Sequence, residues 1–164
     1  MDNNEKLIVA CDFDGTCVQH TYPRIGQDIG AVPVLKKLVD NGHKLILFTM
    51  RGDSVLSNNK GLNGEPVSVL KDAVNWFERN GIPLYGVQLN PTQRNWTSSN
   101  KCYANLYIDD AALGCPLLQD YYYKMDDYGK QNKIFTGRPY VDWVKVEEIL
   151  IEKGLIRPKI EENV

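Results

Sequence analysis

The chain has 164 residues, 43% of them hydrophobic and 24% charged, with a formal net charge of -2. That length predicts a single domain with a real core. A charge so close to neutral excludes general attraction to nucleic acid or anionic membrane. No apolar stretch approaches the length of a membrane span. The start, Met1-Asp2-Asn3-Asn4-Glu5-Lys6, is polar and lacks a signal-peptide pattern. The cysteines, Cys11, Cys17, Cys102 and Cys115, have neither Cys-x-x-Cys nor zinc spacing. Reduced, mostly buried thiols in a cytoplasmic protein are the expectation.

In chain order, Leu7-Ile8-Val9-Ala10-Cys11 is an apolar run that ends abruptly in Asp12 and Asp14, followed by Gly15 and Thr16. Such a run reads as a strand buried on both faces of a parallel sheet. The carboxylates are too costly to bury within it. They are expected at its carboxyl end, where open α/β sheets hold ligands. An irregular segment, Cys17 to Gly30, contains His20, Tyr22 and Arg24. Val32, Val34, Leu35 and Leu38 have helical spacing over 31–41, and Asn41-Gly42 closes that helix. Leu45-Ile46-Leu47-Phe48 is a second strand, ending in Thr49-Met50-Arg51-Gly52. After a loop over 53–64, Pro66 opens a helix to about Asn80, with Val67, Leu70, Val74 and Phe77 on one face. Tyr85 to Leu89 is a third strand, broken by Asn90-Pro91. A polar loop runs to Asn100. Leu106-Tyr107-Ile108 is a fourth strand, ending in Asp109 and Asp110. Tyr121, Tyr122, Tyr123 and Tyr128 cluster in the tail. A last helix covers about 141–153. Strands alternating with helices predict an α/β domain with a mainly parallel sheet. On such a sheet Asp12, Asp14, Thr49, Asp109 and Asp110 fall along one edge.

Asp12-Phe13-Asp14-Gly15-Thr16 resembles the first motif of the haloacid dehalogenase (HAD) superfamily of phosphohydrolases. Thr49 is similar to the second-motif hydroxyl after a hydrophobic strand. Lys101, just before the fourth strand, matches the third-motif lysine, with Lys60 a weaker rival. Asp109-Asp110 matches the fourth-motif acidic pair. The resemblance covers about 7–114. It implies a three-layer Rossmann-like (HAD-like) fold and a Mg²⁺-dependent phosphatase. Asp12 would be the nucleophile that becomes an aspartyl-phosphate. Asp14 would be the general acid and base. Thr49 and Lys101 would stabilise the transferring phosphoryl group. Asp12, the Asp14 carbonyl and Asp109 would hold the metal, with Asp110 binding through water or orienting Asp109. Gly15, Met50, Arg51 and Arg24 would lie on the substrate side, with His20 near the leaving group.

In that superfamily inserted caps usually select the substrate. Here 17–30 and 90–100 are too short for a globular cap, so a small flap or hairpin at most is expected. The favoured substrate is a small phosphorylated metabolite, a sugar phosphate or a nucleotide. A macromolecular substrate, a nucleic-acid end or a phosphoprotein, ranks lower because no basic stripe is present. A non-catalytic phosphate-binding module is the third alternative. The clustered tyrosines suit either the domain's own sheet edge or an interface in a homo-oligomer.

Overall fold

The computed structural model describes residues 5–53 and 68–158. The first apolar run forms strand β1 (Ile8–Cys11), and helix α1 (Ala31–Asp40) follows the irregular segment. Ala31, Val34, Leu35 and Leu38 are the buried stripe of α1, and Gly42 turns the chain at φ +89. Strand β2 is Lys44–Leu47, one residue earlier than its apolar run predicts. Helix α2 is Val69–Arg79. The expected start at Pro66 and the rival Lys60 lie outside the described residues. Strand β3 is only Gly86–Val87, shorter than the expected five residues. Strand β4 is Leu106–Ile108, and helix α3 is Trp143–Glu152. The Asp142 carboxylate caps α3, accepting from the Val144 and Lys145 N–H groups.

The four strands form a parallel sheet in the order β3-β2-β1-β4. The register sets Cys11 beside Leu47 on one flank and beside Ile108 on the other. The residues that follow these three therefore emerge together at one edge: Asp12 from β1, Phe48 and Thr49 from β2, Asp109 from β4.

Among the described residues, the two faces of the sheet are covered differently. Residues on alternate positions of a strand face opposite sides. Val9, Cys11, Leu45 and Leu47 share one core with residues of all three helices, α1, α2 and α3. Ala10 and Ile46, on the other face, pack with Cys102 and the half-buried Ile8, Phe48, Tyr85 and Ala104. Among the described residues, no helix contributes to that cluster. Its cover comes from the irregular chain between β3 and β4, with a single 3₁₀ turn at Gln93–Asn95. A buried parallel sheet needs both faces covered, and irregular backbone can do this only if its polar groups are paired. Gln93 supplies the pairing. It is fully buried, and its Nε2 donates to the carbonyls of Ser99 (2.9 Å) and Lys101 (2.8 Å). Its Oε1 accepts from the N–H of Tyr103 (2.9 Å) and of Asn90 (3.4 Å).

Between β4 and α3 the chain builds four short strands. β5 (Leu117–Leu118) pairs antiparallel with β8 (Tyr140–Val141). Between them β6 (Tyr121–Met125) and β7 (Gln131–Phe135) form an antiparallel hairpin. The clustered tyrosines thus lie in a strand of their own. They do not pack on the edge of the central sheet, and about half of each is exposed: Tyr121 49%, Tyr122 51%, Tyr123 55%. Among the described residues, no helix is long and apolar enough to cross a membrane.

Replacing Gln93 by Leu should lower the free energy of unfolding by roughly 2–4 kcal/mol, because it leaves the Lys101 carbonyl and the N–H groups of Tyr103 and Asn90 without their partner under the sheet. Urea denaturation measures this; a loss below about 0.5 kcal/mol would show that the cover does not depend on Gln93.

Candidate active site

Three carboxylates meet at the carboxyl edge of the sheet. Asp12, Asp109 and Asp110 each offer an oxygen within 4.8 Å of the others. Strand pairing brings them there: the Asp12 N–H continues the β1–β4 ladder by donating to the Ile108 carbonyl at 3.0 Å. Thr16, fully buried, fastens the cluster from below. Its hydroxyl donates to Asp12 Oδ2 (3.0 Å), lies 3.3 Å from Asp110 Oδ1 and accepts from the Asp110 N–H (3.1 Å). The Asp109 carboxylate accepts from the Ala111 N–H at 2.8 Å. Burial pushes the Asp12 carboxyl up to about 7, and the neighbouring Asp109 and Asp110 charges push the same way. The Phe13 N–H and the Thr16 hydroxyl act against them.

Asp14 stands apart from this cluster and has a partner of its own. Both of its oxygens accept from Arg51, Nε to Oδ2 at 2.7 Å and Nη2 to Oδ1 at 2.7 Å. The remaining guanidinium protons reach the carbonyls of Pro23 (3.1 Å), Val69 (3.1 Å) and Arg24 (2.8 Å). All five donors are therefore used. Arg51 is 1% exposed, with its guanidinium 5.0 Å from the centre of the Phe13 ring. Arg51, expected on the substrate side, joins Asp14, the 20s loop and the start of α2 with all its donors. Arg24 enters through its carbonyl, while its side chain is exposed and outside the cavity lining.

A cavity of about 430 Å³ opens over the carboxylates, and Asp12, Asp14, Asp109, Asp110, Thr49, Met50 and Arg51 all line it. Thr49 accepts the Arg51 N–H on its hydroxyl at 3.2 Å. Gln88, at φ +66, holds the same turn: it accepts from the Thr49 N–H and donates to the carbonyls of Thr49 and Arg51. Met50 projects into solvent, 99% exposed. Gly15, expected on the substrate side, is outside the cavity lining. Its N–H donates to the Val18 carbonyl, its carbonyl accepts from Val141, and its φ is +79. A Cβ there would lie 2.0 Å from the His20 ring. That ring instead sits against Gly15 and bonds Asp110 Oδ2 at 3.0 Å. Lys101 does not line the cavity; its ammonium lies 5.9 Å from the centre of the Tyr107 ring. Tyr107 is paired with Ala10 in the sheet and shares its face, the one without helices. Sequence reasoning missed Gln88 and Arg138, which also lines the cavity. Gln88 ends a strand as Thr49 does, and that position was its only signal. Arg138 had none.

Fold and site together define an α/β protein with an open parallel sheet and a three-carboxylate cluster at its carboxyl edge. No family model matches the chain, and no curated protein does. A solved structure, that of a conserved protein coded by a locus from Bacteroides thetaiotaomicron, is similar to it at 29% identity and a TM-score of 0.61. The match covers 91% of this chain and 93% of that one.

The raised Asp12 carboxyl makes a prediction whose sign follows from linkage. Unfolded, Asp12 ionises near 3.8; folded, it keeps its proton to about 7. The cost of its charge is thus absent below the lower value, grows between the two and is full above the upper one. Metal-free Asp12→Asn should melt about 5 °C above wild type at pH 8. The gap should close as the pH falls towards 4. A midpoint unchanged at pH 8 would contradict the strain. Arg51→Ala should cost about 3–5 kcal/mol, since it strands the half-buried Asp14 and the loop carbonyls of Pro23 and Arg24. Arg51→Lys should not restore it, because an ammonium cannot span a bidentate carboxylate and three carbonyls. Equal urea midpoints for wild type and Arg51→Lys would show that only the charge matters.

Proposed function

We propose that the protein hydrolyses a phosphate monoester through an aspartyl-phosphate on Asp12, with Mg²⁺ held by Asp12, Asp109 and Asp110. The observation that carries this reading is the meeting of those three carboxylates, with Asp14 two residues from Asp12 facing the same cavity. The donor set fits the ion. It consists of hard oxygen ligands on an open edge with room for retained waters, as Mg²⁺ requires. Burial and mutual repulsion leave Asp12 short of a positive partner. Bound there, Mg²⁺ would supply charge neutralisation between the carboxylates and a phosphate oxygen.

The chain's own residues would do the rest. Asp12 attacks phosphorus in line, so that its P–O bond forms as the ester P–O bond breaks. Asp14 gives a proton to the departing alkoxide. It then takes one from the water that cleaves the acyl phosphate and releases inorganic phosphate. Each Asp14 oxygen keeps a lone pair beyond the one used by Arg51, so Arg51 can hold its orientation through both steps. The Thr49 hydroxyl donates to a phosphoryl oxygen. Lys101 has no part in this reading. The membership implied by the motif, a cap-free HAD phosphatase, remains part of the same proposal. So does a small phosphorylated metabolite as substrate, which suits the open cavity and the near-neutral chain.

Phosphate release from an aryl phosphate ester tests the reading and separates it from a non-catalytic module. Turnover should need Mg²⁺, stop in excess chelator and fall to background in Asp12→Asn. Independently of turnover, Mg²⁺ should raise the melting midpoint of wild type and have little effect on Asp12→Asn. Full activity in chelator, or in Asp12→Asn, would sink it.

A further inference from the structure

Resting on the phosphatase reading, we infer that Arg138 is the phosphate-binding cation of this site, in the role that the sequence pattern offers to Lys101. The argument begins with charge. Three carboxylates and one divalent cation leave a net negative site, and a phosphate monoester adds up to two more negative charges. A further cation facing the phosphoryl oxygens is needed. Among the described residues, three basic side chains line the cavity: His20, Arg51 and Arg138. Arg51 has spent all five donors, and His20 is bonded to Asp110. Arg138 makes no hydrogen bond or ion pair with any described residue. It is the one described cation lining the cavity whose donors are free.

Its position is built. Arg138 lies between β7 and β8, and the chain is fastened on both sides of it. Before it, the Gly137 carbonyl accepts from Gln119 Nε2 at 2.8 Å. After it, the Tyr140 hydroxyl donates to Asp120 Oδ1 at 2.7 Å, and the Val141 N–H donates to the Gly15 carbonyl at 3.0 Å. The second Asp120 oxygen accepts from Gln19 at 3.3 Å. The arm is thus tied directly to the loop that carries Asp12 and Asp14. A planar fork of donors at that point suits two oxygens of one phosphoryl group.

The experiment is isothermal titration of inorganic phosphate into the Mg²⁺-loaded protein, in wild type, Arg138→Ala, Arg138→Lys and Lys101→Ala. Arg138→Ala should weaken phosphate binding about tenfold or more, with Arg138→Lys intermediate and Lys101→Ala equal to wild type. Arg138 is exposed and unbonded, so the melting midpoint should stay at the wild-type value and serves as the folding control. Aryl phosphate turnover should show a raised KM in Arg138→Ala. Wild-type affinity in Arg138→Ala would overturn the inference and leave the phosphatase reading intact, as would a tenfold loss in Lys101→Ala alone. No phosphate binding by wild type in Mg²⁺ would overturn both.

Discussion

Like charges held together at the end of two paired strands are the constraint on which this structure depends. β1 and β4 are far apart in sequence but pair in register, and each continues into aspartate. Once Cys11 lies beside Ile108, Asp12 has nowhere to go except beside Asp109 and Asp110. Burial takes water from the Asp12 carboxylate and the neighbouring charges add to that cost, so the Asp12 carboxyl is pushed far from its ordinary range. A protein selected only for stability would not retain such a cluster. The surrounding residues read as restraints on it: the buried Thr16 hydroxyl between Asp12 and Asp110, and His20 against the far side of Asp110.

A second centre of restraint lies a few residues away and works by the opposite means. Asp14 is fully paired. Arg51 fills every position around its guanidinium, so three segments of chain meet on one planar group. Gln88 does the same for the backbone of the 49–51 turn. Two adjacent carboxylates of one motif therefore live in contrasting settings: Asp12 among negative charges, Asp14 against a cation. In the proposed reaction these are the settings of a nucleophile that must wait for a metal and of a proton carrier that must keep its orientation.

The sheet and the acidic edge were legible because their signals are local. Apolar runs ending in carboxylates at Asp12 and Asp109 mark both the strands and the edge, whatever the rest of the chain does. Residues whose role depends on where a side chain travels were not legible. Arg51 looks like a substrate contact from its place after Thr49, yet its length lets it turn inward to Asp14. Lys101 has the expected spacing before β4, but with no helix between β3 and β4 its segment lies across the sheet face, away from the edge. Gly15 serves a backbone shape and leaves room for the His20 ring, which its place in the sequence did not reveal. Tyr121-Tyr122-Tyr123 gave no alternation of apolar and polar residues, because both faces of the hairpin are open.

The β6–β7 hairpin carries a consequence for how the molecule opens. A two-stranded hairpin has marginal stability by itself, and this one buries little against the body. Its order comes from cross-strand aromatic contacts such as Tyr121 with Phe135, and from the ties at its base through Gln119 and Asp120. Its amides should exchange with solvent through fluctuations that leave the helix-covered core intact, so it is a separate cooperative unit of lower free energy. The joint between the two units is the stretch that walls the cavity beside the carboxylates. One wall of that cavity, at Arg138, is therefore attached to the less stable of the two units.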